Sequence, residues 1–128
     1  MSGVPCRVLV VEDNRDAADS TVMLLESWGH EAKAAYSAAE CIAVAKEFDP
    51  DIVLMDIGLP HKNGFTAKRE LDVDCPGIRV VALTGFTQAD IVRRSRNEGF
   101  ADHLLKPAPP EELKDVVDHQ CALAKAAP

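Results

Sequence analysis

Short, unbroken runs of β-branched and aliphatic residues alternate with longer amphipathic segments along this chain. Arg7-Val8-Leu9-Val10-Val11, Asp51-Ile52-Val53-Leu54-Met55 and Arg79-Val80-Val81-Ala82-Leu83 show no polar alternation. Such runs suit strands buried on both faces, as found in parallel sheets sheathed by helices. His103-Leu104-Leu105 is a shorter run of the same kind. Glu31-Ala32-Lys33-Ala34-Ala35 alternates charged and small residues, which suits an edge strand whose charges discourage further pairing.

Helix signals fill the gaps. Asn14 can cap a helix ending near Trp28, with Gly29 as its stop. Ser37-Ala38-Ala39-Glu40 has the spacing of a capping box. Thr87 can cap a segment that runs to Glu98 and Gly99. The third helix, roughly 64 to 73, has the faintest pattern. In the last helix Pro109 and Pro110 precede Glu111 and Glu112, so prolines and acids occupy the first turn, where both are favoured. Leu113, Val116, Val117, Cys121 and Ala124 then form an apolar stripe. The order is βαβαβαβαβα. Crossovers of this length imply an α/β fold with a parallel sheet and helices on both faces. Five units are too few for an eight-stranded barrel, so an open, doubly wound five-stranded sheet is expected. The 128 residues form one domain, with a core over about 7–123 and short tails at both ends.

Composition removes several function classes. Lys and Arg total 14 against 21 Asp and Glu, a net charge of −7, which disfavours a nucleic-acid binder. No apolar stretch approaches the roughly 18–20 residues of a membrane span. Acids at 12, 13, 16 and 19 do not suit a signal peptide, so the cytoplasm is the expected compartment. Cys6, Cys41, Cys75 and Cys121 form no Cys-x-x-Cys pair and are expected to be mostly buried free thiols. The four histidines, at 30, 61, 103 and 119, also lack ligand spacing.

In a parallel sheet the carboxyl ends of all strands share one edge, and ligands bind there. The strand patterns run into Glu12-Asp13, Asp56, Thr84 and Lys106. Three carboxylates, a hydroxyl and an ammonium should therefore meet in one pocket. Crowded carboxylates call for a cation, and oxygen-only ligands select a hard one, Mg²⁺ or Mn²⁺. Such a set suits a carboxylate that accepts a phosphoryl group. Each residue also has a plainer structural role: Glu12 and Asp13 as helix caps, Asp56 as an Asx-turn, Lys106 as an ion-pair partner, Thr84 as a strand end. All of these would have to hold at once, at the ends of four strands.

Four pieces in this order carry a family resemblance: Val10-Val11-Glu12-Asp13-Asn14; Met55-Asp56-Ile57-Gly58-Leu59-Pro60 with Gly64; Ala82-Leu83-Thr84-Gly85; and Leu105-Lys106-Pro107. From about Arg7 to about Leu123 the chain resembles response regulator receiver domains, the CheY-like phosphoacceptors of two-component signalling. The resemblance implies a flavodoxin-like sheet with strand order 2-1-3-4-5. It implies Asp56 as phosphoacceptor, with Asp13, Asp56 and the Gly58 carbonyl as direct metal ligands and Glu12 acting through water. Lys106 would pair with the phosphoryl oxygen, and the Thr84 hydroxyl would turn toward it. That movement would remodel the surface of the fourth helix, fifth strand and fifth helix. The Lys106–Pro107 peptide would be cis. Partners would be a sensor histidine kinase or histidine phosphotransfer protein and a downstream protein target, with no nucleic acid or membrane, and with a phosphorylation-dependent homodimer as an option. Either a stand-alone regulator or the receiver of a hybrid kinase fits.

Four positions depart from the family pattern, of which Gly85, in place of the usual Ala, keeps its site small enough for a phosphoryl group to approach the backbone. His103 stands where Tyr or Phe is usual. It either packs as that ring does or, titrating near a pKa of about 6.5, biases the switch with pH. Gly58 and Phe86 replace polar residues beside the water approach, where they would tune the phosphoryl lifetime. The rival functions are a non-phosphorylated pseudo-receiver, a haloacid-dehalogenase-like phosphatase and a flavodoxin-like flavin binder. The first typically loses one of the acids or the lysine, all present here. The second needs an acid where Gly58 stands, and the third a phosphate loop unlike Glu12-Asp13-Asn14. A protein that accepts phosphate on its own Asp is not a turnover enzyme, beyond slow autodephosphorylation.

Overall fold

The structure is a computed structural model and describes residues 5–57, 64–85 and 89–126, the side chains of 89–92 excepted. Strands β1 (Arg7–Val11), β2 (Glu31–Ala35), β3 (Ile52–Asp56), β4 (Arg79–Thr84) and β5 (Asp102–Leu105) alternate with helices α1 (Arg15–Ser27), α2 (Ala38–Phe48), α3 (Gly64–Asp74), α4 (Ala89–Asn97) and α5 (Pro110–Ala126). The strands form one sheet in the order β2-β1-β3-β4-β5, and every neighbouring pair is parallel. The doubly wound arrangement and its strand order are therefore as expected.

The sheet is buried on both faces because its central strands β1, β3 and β4 carry unbroken apolar runs. Leu9, Val11, Val53, Met55, Val80 and Ala82 face one cluster, shared with Cys41 and Ala45 of α2 and with Phe65 and Leu71 of α3. The alternate residues, among them Val8, Val10, Ile52, Leu54 and Val81, face a second cluster with Leu25 of α1 and Leu113 and Val117 of α5. The period of two along each strand thus assigns α2 and α3 to one layer and α1 and α5 to the other. Strand β2 lies at an edge, and its exposed positions are Glu31 and Lys33, the charges expected to guard it.

Local signals set the helix ends. Asn14 caps α1 by accepting from the Ala17 N–H at 3.0 Å, and Gly29 follows at φ +95°. Ser37 caps α2 by accepting from the Glu40 N–H at 3.1 Å. Glu40 reaches back to the N–H of Tyr36, at 3.3 Å, one residue before the cap. The expected Thr87 cap lies outside the described residues. Two expectations need correction. The apolar stripe of α5 carries the helix to Ala126, beyond the expected tail boundary. Cys6 and Cys121 are not free thiols but are joined in a disulfide, leaving Cys41 and Cys75 free. They lie 115 positions apart, so only the tertiary fold could bring them together.

Candidate functional site

The carboxyl edge of the sheet gathers the residues singled out by the strand ends. Glu12 directly follows β1, and its backbone N–H donates to the Ala35 carbonyl of β2 at 3.0 Å. Asp56 is the last residue of β3 and lies opposite Leu83 of β4, so Thr84 stands one step beyond it. Thr84 ends β4 and is buried. Lys106 follows β5, and its N–H donates to the Thr84 carbonyl at 2.7 Å. The Lys106–Pro107 peptide is cis, as expected.

Carboxylate oxygens of Glu12, Asp13 and Asp56 lie within 4.8 Å of one another. Glu12 and Asp56 are buried, whereas Asp13 is exposed. Lys106 Nζ bridges the two buried acids, 2.5 Å from Glu12 Oε2 and 3.2 Å from Asp56 Oδ2. One ammonium among three carboxylates leaves negative charge in excess. Burial raises the proton affinity of Glu12, and the charge of Asp56 adds to the effect, together outweighing the Lys106 hydrogen bond. Burial also opposes the charge on Lys106, but its bonds to Glu12 and Asp56 prevail and hold its pKa above the usual value. The arrangement is thus a negative pocket with hard oxygen donors and one engaged cation. It fits a small divalent ion, for which Glu12, Asp13 and Asp56 offer oxygens, two of these acids being bonded by Lys106.

Gly64 fixes the position of the phosphoacceptor candidate. A Cβ there would stand 2.5 Å from Ile57 Cα and 2.9 Å from the Asp56 carbonyl oxygen. Its own N–H donates to the Ile57 carbonyl at 3.1 Å, so α3 begins in close contact with the end of β3. Only glycine permits that approach.

His103 sits on edge strand β5, partly exposed, beside Ala82 of β4. It lines a cavity of about 120 Å³ with Ser95, Arg96, Phe100 and Asp102. Gly58 and Phe86 lie outside the described residues. One feature escaped the sequence reading. An apolar cavity of about 270 Å³ opens beside Glu12 and Lys106, lined by Ala17 and Thr21 of α1 and by Pro107 and Leu113. Small residues one turn apart on α1 were the available signal.

Among the described residues, no helix is long and apolar enough to cross a membrane. Comparison with known proteins agrees with this geometry. The family model for the response regulator receiver domain matches residues 8–118. The protein PilH of Pseudomonas aeruginosa is 32% identical over 114 residues, covering 88% of this chain and 94% of that protein. The DNA-binding response regulator MtrA of Mycolicibacterium paratuberculosis is 32% identical over 107 residues; the match covers 84% of this chain but only 47% of MtrA. A receiver domain protein from Methanospirillum hungatei superposes with a TM-score of 0.88 at 26% identity, covering 95% of this chain and 98% of that one. One from Clostridium thermocellum gives 0.86 at 26% identity, covering 93% and 96%. With its acids, threonine and lysine on one sheet edge and a family match over most of its length, the chain belongs to the response regulator receiver domains of two-component signalling.

Proposed function

We propose that the chain is a phosphoacceptor switch, in which Asp56 takes a phosphoryl group from a phosphohistidine on a sensor kinase or phosphotransfer protein, or from a small acyl phosphate. One observation carries this reading: a carboxylate at a strand end, with an ammonium 3.2 Å away and two further carboxylates around it. A carboxylate oxygen of Asp56 attacks phosphorus in line. The O–P bond forms as the N–P bond to the donor imidazole breaks, and the departing imidazole takes up a proton. Asp13, Asp56 and the Gly58 carbonyl would hold a Mg²⁺ or Mn²⁺ ion, with Glu12 through water, and the ion would supply positive charge to the phosphoryl oxygens.

The chain's own residues do the remainder. Lys106 stays charged because its acidic neighbours raise its proton affinity, and it shifts from the carboxylates to a phosphoryl oxygen. Asp56 keeps its direction because Gly64 packs against its backbone. Thr84 turns its hydroxyl toward the new group. Since its carbonyl accepts from the Lys106 N–H, a shift at Thr84 passes into the segment between β5 and α5. The output is a changed α4–β5–α5 surface, read by a downstream protein. Gly58 leaves no general acid two residues after Asp56, so the protein holds its phosphate rather than turning over esters.

Mass spectrometry after incubation with acetyl phosphate and Mg²⁺ tests the proposal. The intact chain gains one phosphate, and Asp56→Asn gains none. Equal labelling of the two proteins refutes Asp56 as the acceptor.

A further inference from the structure

The disulfide lies at the opposite edge of the sheet from the acids. Cys6 immediately precedes β1, and Cys121 lies in the second half of α5, with their Cα atoms 6.1 Å apart. Both residues are buried, Cys121 completely. The backbone of Cys6 is held firmly. Its carbonyl accepts from the Glu31 N–H at 3.0 Å, and its N–H donates to His30 Nδ1 at 3.0 Å. The same histidine aims Nε2 at Asp118 Oδ1, one turn before Cys121. The two atoms are 3.9 Å apart, too far for a hydrogen bond, and both are buried without another partner. The His30–Asp118 pair therefore does not close the seam between α5 and the segment after α1, and the disulfide stands there beside two noncovalent ties of the same half of α5, Arg79 to Gln120 at 2.6 Å and Lys125 to Asp51 at 3.3 Å.

We propose that Cys6 and Cys121 form a reversible thiol–disulfide site, oxidised by a low-molecular-weight disulfide, which sets how freely the second half of α5 moves on the sheet. An open cleft of about 350 Å³, lined by Cys6, Arg7, Glu31 and Lys125, brings solvent to the Cys6 side. The Cys6 thiolate attacks one sulfur of the small disulfide. An S–S bond forms to Cys6, and the released small thiolate takes up the proton that Cys6 lost. The Cys121 thiolate then attacks the Cys6 sulfur and expels the second small thiol, which takes up the proton from Cys121. Two protein thiols are oxidised and one small disulfide is reduced to two thiols. Cys41 is a poor competitor, because burial pushes its thiol up to about 12.

The full chain is equilibrated in buffers with stepped ratios of oxidised to reduced glutathione, then alkylated in denaturant and peptide-mapped. Cys41 and Cys75 should alkylate throughout. Cys6 and Cys121 should alkylate at the reduced end and appear as one crosslinked peptide at the oxidised end, with unchanged circular dichroism. Amides of α5 around Cys121 should exchange with deuterium at least about tenfold faster in the reduced protein. The variants Cys6→Ser and Cys121→Ala should match the reduced protein at every ratio; if one fails to fold, the other and the reduced wild type carry the comparison. Full alkylation of both cysteines at all ratios overturns the proposal. So does a crosslink that survives excess reduced glutathione, or equal α5 exchange in the two redox states.

Discussion

Replacing Asp13 by Asn should make the metal-free protein more stable and, at the same time, deaf to Mg²⁺. Oxygens of Asp13 lie within 4.8 Å of those of both Glu12 and Asp56, while Lys106 is engaged by those two neighbours. At that spacing a like-charge pair costs about 0.9 kcal/mol in water and about 3.5 kcal/mol at an effective dielectric of about 20. The Asp13 side chain is exposed, so the aqueous figure is the better guide. Two such pairs give roughly 1–2 kcal/mol, or a rise of about 5 °C in Tm for a chain of this size. Wild type should instead gain about 1.4 kcal/mol from Mg²⁺ at ten times its Kd. Urea titrations followed by circular dichroism, in EDTA and in Mg²⁺, give both numbers. If Asp13→Asn is less stable than wild type in EDTA, or is stabilised equally by Mg²⁺, the account of the acidic pocket is wrong.

Gly64→Ala should cost about 2–4 kcal/mol, because its Cβ meets backbone rather than a movable side chain. Phosphate uptake on Asp56 should fall with it in the fraction that stays folded, read by the same mass assay. His30 gives a pH signature. Burial lowers its proton affinity below the ordinary value of 6.5, against the opposing pull of Asp118. The unfolded chain then binds the proton first as pH drops. Stability should decline below about pH 6.5 by up to about 1.4 kcal/mol per pH unit, until the folded imidazole also protonates. His30→Gln should flatten that part of the curve in urea titrations at stepped pH, and an unchanged slope would count against the buried neutral imidazole.

The fold was legible because strand burial on both faces leaves uninterrupted apolar runs, and a parallel sheet then dictates where those runs end. Glu12, Asp56, Thr84 and Lys106 were found in this way, without any information on contacts. Helix α3 was faint for a definite reason. Its inward face includes Gly64, Ala67 and Lys68, so the apolar stripe is broken by a glycine and a charge. Lys68 tolerates burial because its Nζ bonds Asp72 at 2.7 Å and lies 5.7 Å from the Phe100 ring centre. Asp72 stands at the i+4 spacing of a helical ion pair, whereas Phe100 could not be assigned from spacing. The disulfide was invisible for a related reason: four scattered cysteines permit several pairings, and only the packing of α5 on the sheet selects one.

The amino-terminal side of the sheet is laced by bonds between elements far apart in the chain. The Arg7 N–H donates to Asp51 at 3.0 Å, Lys125 pairs with that same carboxylate at 3.3 Å, and Arg79 holds Gln120 of α5 at 2.6 Å. A load on the opposite rim therefore works against a body already braced at its back. Substitutions among the acids at that rim leave these bonds behind them in place.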